Sequence, residues 1–133
     1  MRIAPPEAPC TGYLFGKGVY FADLIGKSTP YCRPEISNGI ATFVLCEVAV
    51  GNQRKLQRPD CYAHNLPKGY NSTQALGRQQ PIPSQSVTID NGEVTVPLGK
   101  LEDVKDCSMG ANEFVVYNTN QIRMRYLVRM KVN

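Results

Sequence analysis

The sequence has no tryptophan, a single histidine (His64) and no long apolar run. A lone histidine excludes a metal cluster built on several histidines. The richest apolar stretch, Ile40 to Val50, is interrupted by Glu47. It falls far short of the ~20 apolar residues of a membrane-spanning helix, so no contact with a membrane is expected. The opening Met-Arg-Ile-Ala-Pro-Pro-Glu-Ala-Pro has no apolar core of the kind a secretory signal carries, and the expected location is inside a cell. Five cysteines (Cys10, Cys32, Cys46, Cys61, Cys107) are odd in number and widely spaced. Neither a zinc site nor a disulfide framework fits that spacing, so they read as reduced thiols. Asn71-Ser72-Thr73 is a formal glycosylation sequon with no meaning unless the chain is secreted. The net charge of +4 is modest, with Lys and Arg concentrated at 123–131, and makes no case for a nucleic-acid groove.

What is present describes an ordinary globular domain. The 133 residues, 42% hydrophobic and 20% charged, fit one domain that buries about 70% of the surface its unfolded form exposes. Ten prolines and eleven glycines cut the sequence into short pieces, which predicts a strand-rich α+β fold. In the last strand Arg123, Arg125, Arg129 and Lys131 alternate with Met124, Tyr126, Val128, Met130 and Val132, predicting one solvated and one buried face. Thr42 to Val50 reads as a more deeply buried strand, and Val19 to Ala22 and Glu113 to Tyr117 as two more. Val87 to Ile89 and Glu93 to Val96 flank Asp90-Asn91-Gly92 as a hairpin. One short helix is expected, N-capped by Asp23 and ended by Pro30. Residues 52–86 read as polar loop.

Single motifs decide little. Gly26-Lys27-Ser28 is no phosphate loop, because Phe21 stands where its first glycine belongs. Gly16-Lys17-Gly18 precedes a strand, whereas the dinucleotide fingerprint follows one, so on spacing it is a turn. His64 reads as a surface loop residue. Pro6-Glu7-Ala8-Pro9 fits the proline-rich pattern that SH3-type domains bind, but such tetrapeptides more often stiffen a loop.

Taken in order, the local sequences say more. Arg2-Ile3-Ala4-Pro5-Pro6-Glu7-Ala8-Pro9, Thr11-Gly12-Tyr13 and Phe15-Gly16-Lys17-Gly18-Val19-Tyr20-Phe21-Ala22-Asp23 strongly resemble the donor loop and signature of the poly(ADP-ribose) polymerases. Lys27-Ser28, Tyr31-Cys32, Leu66-Pro67-Lys68-Gly69, Leu76-Gly77, Val96-Pro97-Leu98-Gly99, Asn112-Glu113 and Arg125-Tyr126-Leu127 continue that resemblance to the end of the chain. The subfamily most resembled is that of the DNA-damage-responsive nuclear polymerases.

The resemblance implies the C-terminal part of the ADP-ribosyltransferase fold, with two packed, mainly antiparallel sheets and a short helix. It implies NAD as substrate, no metal, acceptor proteins and ADP-ribose polymer as partners, no direct DNA binding by this segment, and a nuclear location. Glu113 resembles the family's catalytic glutamate, Tyr20 the middle member of a His-Tyr-Glu triad, and Lys27 a lysine that helps orient the glutamate. Tyr31 resembles the tyrosine that stacks on nicotinamide, Ser28 the hydroxyl that bonds its carboxamide, and Arg2 a donor-loop arginine near the adenosine ribose. Tyr13 and Gly18 fall at further NAD-contacting positions. In the family the triad histidine and its glycine lie upstream of residue 1, so residues 1–133 are expected to be a partial catalytic domain, weakly NAD-binding, with exposed sheet edges and poor solubility. Two local departures stand out. Gly110-Ala111 replaces an apolar and an aromatic residue before Asn112-Glu113, which bears on acceptor contacts, and Pro30 replaces an asparagine before Tyr31. A non-catalytic interaction module and a mono-ADP-ribosyltransferase are the alternatives.

Overall fold

A computed structural model describes residues 1–133 except Pro6, Cys10 and Asn133, so the readings that involve Pro6 and the Cys10 thiol lie outside the described residues. The described strands are β1 (Val19–Phe21), β2 (Ile40–Val48), β3 (Gln53–Leu56), β4 (Ser72–Ala75), β5 (Gly77–Pro81), β6 (Val87–Ile89), β7 (Val94–Val96), β8 (Leu101–Asp103), β9 (Met109–Ala111), β10 (Glu113–Val116) and β11 (Ile122–Lys131). One short α-helix, α1 (Ile25–Ser28), stands among them. The strand-rich α+β class is therefore observed. The strands form four sheets, ordered β1-β10-β4-β3, β8-β5-β9, β2-β11 and β6-β7. Pairing is antiparallel throughout except for β3 with β4 and β5 with β9.

The four-stranded sheet carries the core. Of its two inner strands, β4 pairs with β10 on one side and β3 on the other, and all four of its residues are buried. This overturns the loop reading of residues 52–86, which hold three strands. Ser-Thr-Gln-Ala is a polar sequence, but its polar atoms find partners. Ser72 Oγ donates to the Val50 carbonyl at 2.6 Å, and Thr73 Oγ1 is hydrogen-bonded to the Tyr117 hydroxyl at 2.8 Å. Satisfied in this way, a hydroxyl is tolerated inside. A parallel pair needs a long crossover, and residues 57–71 supply it. That segment is tied down where Asp60 N–H donates to the Leu14 carbonyl, and it inserts Ala63 into a cluster with Phe15, Ala75 and Val115. His64 is accordingly half-buried, not a surface residue, and its Nδ1 is buried without a hydrogen-bond partner among the described residues.

The β2-β11 ribbon corrects two further expectations. Both strands exist, but Ala41 is the one fully buried residue of β2, and Val44 and Leu45 are exposed. In β11 the expected alternation breaks at a bulge between Met124 and Tyr126: Met124 pairs with Cys46 and Tyr126 with Leu45. Arg125 is the extra residue, so Met124 and Tyr126 point to opposite faces. Met124, Tyr126, Leu127 and Met130 all remain exposed.

The hairpin forms as expected, with Asp90, Asn91 and Gly92 all at positive φ in its loop. α1 differs in detail. Its N-cap is Leu24 with no side-chain cap bond, and it runs on into a 3-10 turn, Thr29–Cys32, that includes Pro30. Asp23 does not cap the helix; its Oδ2 accepts from Asn112 Nδ2 instead.

Candidate active site

Register brings the site together. Tyr20 of β1 pairs with Val115 of β10, and strand alternation places Glu113 and Val115 on one face with Tyr20. That face is dry. Val115 is fully buried, Tyr117 just beyond the strand donates its hydroxyl to the Phe15 carbonyl at 2.7 Å, and Glu113 itself is 7% exposed. Gly18 makes room for this packing, since a Cβ there would lie 2.6 Å from Val115 Cγ1 and 2.7 Å from the Val116 carbonyl oxygen.

A carboxylate this buried needs a counter-charge. It has one: Lys27 Nζ of α1 lies 2.6 Å from Glu113 Oε1. Tyr20 is fixed from the other side. Its hydroxyl donates to the Gly16 carbonyl at 2.7 Å and accepts from Phe15 N–H at 2.9 Å. Burial pushes the phenol up to about 12, against the Phe15 N–H bond, and the negative charge of Glu113 adds to the rise. Tyr20 is therefore a neutral hydrogen-bonding group at physiological pH. The Tyr13 ring leans on it, 6.4 Å between centroids at 47°.

Of the residues singled out from the sequence, Glu113, Tyr20, Lys27, Gly18 and Tyr13 thus form one connected cluster. Ser28 and Tyr31 lie on the segment that carries Lys27, Ser28 half-buried and Tyr31 80% exposed. Ser28 immediately precedes the 3-10 turn that holds Tyr31, and in such a turn positions three apart eclipse one another, so the two share a side. No described aromatic ring pairs with Tyr31. Arg2 is exposed, and among the described residues no hydrogen bond or ion pair joins it to Glu113, Lys27 or Tyr20. Its loop is tied to the glycine turn by Lys17 Nζ, which donates to the Pro5 carbonyl at 3.2 Å.

Sequence reasoning gave Asn112 no role of its own and read Asp23 as the helix N-cap. Asn112 is 2% exposed, accepts from Gly77 N–H through Oδ1 at 2.9 Å, and donates through Nδ2 to Asp23 Oδ2 at 2.8 Å. Burial holds the Asp23 carboxyl above the usual carboxylate range, with the Asn112 bond opposing. The one signal was the adjacency of Asn112 to Glu113. Two concavities, about 330 and 460 Å³, are open hollows lined by residues such as Ala49, Asn71, Asn118 and Gln121. They sit at the opposite end of β10 from Glu113 and carry no part of this site.

Comparison with known proteins gives the same direction over the whole chain. The model of the poly(ADP-ribose) polymerase catalytic domain matches residues 1–132. The chain is similar to "Poly [ADP-ribose] polymerase 2" of Arabidopsis thaliana (48% identity) and "Poly [ADP-ribose] polymerase 2-A" of Oryza sativa subsp. japonica (50% identity). Both matches cover the full chain, and 21% and 20% of those proteins. "Poly [ADP-ribose] polymerase 1" of Xenopus laevis is 43% identical over the full chain and 13% of its own length. The chain thus spans about a fifth or less of these relatives.

Proposed function

Because the chain belongs to the poly(ADP-ribose) polymerase catalytic-domain family, we propose that it supplies the glutamate side of an NAD+ ADP-ribosyltransferase site. One observation carries this: a nearly buried carboxylate, Glu113, held at 2.6 Å by Lys27 on the face it shares with Tyr20. The reaction breaks the bond between nicotinamide nitrogen and ribose C1′. The electron pair leaves with nicotinamide, and the ribose ring develops positive charge, as in glycoside hydrolysis. A fixed carboxylate in a dry setting stabilises that charge far better than one in water. An acceptor hydroxyl or carboxylate oxygen then bonds to C1′, and any proton it carried passes to Glu113 or solvent.

The remaining roles follow from that placement. Lys27 holds Glu113, Tyr20 forms one wall of the nicotinamide slot, and Tyr31 closes over the pyridine ring with Ser28 on its carboxamide. Tyr13, Gly18 and Arg2 flank the rest of the dinucleotide. The chain spans about a fifth or less of its relatives, so the activity is assigned to the intact protein. Acceptor proteins and growing polymer as partners, and a nuclear setting in DNA-damage signalling, complete the proposal.

Glu113→Gln in the intact protein tests it. NAD consumption falls by about 10²–10³-fold; a change within twofold would sink the assignment. The exposed apolar residues of the β2-β11 ribbon favour a second reading, a non-catalytic interaction module. That reading requires Glu113→Gln to be silent.

A further inference from the structure

The contacts around Asp23 form a closed brace. Asp23 and Lys27 are four residues apart on the segment that leaves β1 and enters α1, and they meet two consecutive residues of the other segment. Asp23 Oδ2 accepts from Asn112, and Lys27 pairs with Glu113. Asn112 cannot turn to relax the arrangement. Its Oδ1 accepts the Gly77 N–H, and the Gly77 backbone lies so close that a Cβ there would be 2.1 Å from the Ala111 carbonyl carbon. Its Nδ2 also lies 3.4 Å from Gln80 Oε1. An amide fixed at both ends and 2% exposed fixes the peptide that leads into Glu113.

Asp23 is also poorly served as a structural group. Its Oδ1 is buried with no hydrogen-bond partner among the described residues. A half-satisfied buried carboxylate costs free energy, and violations of that kind concentrate where position matters more than stability. We infer that Asp23, acting through Asn112, is a positioning residue that fixes Glu113 against Lys27 and Tyr20. This rests on the reading of Glu113 as the catalytic carboxylate. Asp23 itself touches no substrate. Its effect is geometric, and a displacement of about 1 Å at a reacting group costs up to about 100-fold in rate.

Steady-state kinetics on the intact protein test it with four variants. Asp23→Ala lowers kcat about tenfold or more and leaves KM for NAD within about twofold, because the binding wall is untouched. Asp23→Asn keeps an oxygen for Asn112 Nδ2 and restores kcat to within about threefold of wild type. Asn112→Ala reproduces the loss, and adding Asp23→Ala to it lowers kcat no further, since both act through one contact. Should Asp23→Ala melt too low to assay, Asp23→Ser, too short to reach Asn112, takes its place with the same expectation. An unchanged kcat, additive losses, or no rescue by asparagine each overturn the inference. If wild type consumes NAD, Glu113→Gln abolishes it and Asp23→Ala is normal, only the Asp23 role is lost. If Glu113→Gln is silent, the transferase reading itself fails.

Discussion

The sheet β1-β10-β4-β3 and the ribbon β2-β11 are built from the same kind of hydrogen-bonded strand, yet they end in opposite environments. Every residue of β4 is buried, and β10 has three of its four buried. β11 has eight exposed residues and none fully buried. The difference lies in neighbours. β4 is paired on both edges and roofed by the segment that carries Ala63, whereas each ribbon strand has one partner. A lone two-stranded unit contributes little independent stability. Mechanical support for the candidate site therefore comes from the sheet, and substitutions in the two regions should diverge sharply.

The largest effect is expected at Gly77. An added Cβ would press on the backbone of Ala111 and Asn112, which cannot give way as a side chain end would. Gly77→Ala is expected to cost about 3 kcal/mol, the upper range for overpacking. Denaturant unfolding followed by far-UV circular dichroism measures it, the chain having no tryptophan to report. A loss below about 1 kcal/mol would show that the β5-β9 contact is looser than described.

A matched pair of truncations follows. Val115 is fully buried in the core cluster, whereas Leu127 is 71% exposed on the ribbon. Val115→Ala should cost about 2 kcal/mol in transfer and cavity terms, and Leu127→Ala should stay within about 0.5 kcal/mol. Equal losses in residues 1–133 would break the contrast between the regions. In the intact protein, a larger loss at Leu127 than in residues 1–133 would sharpen it, by showing that something covers the ribbon.

Asp23 gives a smaller effect that depends on pH. Its carboxyl is raised in the folded state by burial, so the stability linked to it is fully present below the unfolded value. That stability is lost as pH rises through the folded value. At neutral pH the charged group is thus a net burden. Asp23→Asn removes the charge and keeps an acceptor for Asn112, so its Tm should exceed that of wild type at pH 7. The gap should close as pH falls toward about 4, near the unfolded carboxylate value. A gap that widens on acidification would reverse the sign of the argument.

These regions also separate what a sequence can disclose from what it cannot. Tyr20, Lys27 and Glu113 were legible because each sits in a distinctive local string, and Val19–Phe21 and Glu113–Val116 because β-branched and aromatic residues cluster there. β4 was not legible. Ser-Thr-Gln-Ala has no strand signal, and its burial is imposed by β3 and β10, the latter some forty residues away in sequence. The link from Asp23 to Asn112 spans 89 residues and leaves no periodic trace, so local sequence points to a helix cap instead. In β11 hydropathy failed the other way, because one bulge residue inverted the alternation and exposure followed from missing neighbours.

That bulge carries the smallest predicted effect. By inserting Arg125 between Met124 and Tyr126, it re-aims the guanidinium so that Nε lies 3.4 Å from Glu47 Oε2 and Nη2 lies 3.0 Å from Asp90 Oδ2. Arg125 thereby ties the ribbon to the loop of the β6-β7 hairpin. Asp90 is about half-exposed, so solvent screens the pair and its contribution stays within about 1 kcal/mol. Arg125→Ala should leave global unfolding almost unchanged while amide exchange in Val87–Ile89 and Val94–Val96 quickens by several-fold. Raising the salt to about 1 M should produce much of the same quickening in wild type, because the Debye length shrinks to about 3 Å. If exchange in the hairpin ignores both changes, the hairpin is held by its own Val and Ile pairs, and the ribbon stands apart from the rest of the molecule more completely than its contacts indicate.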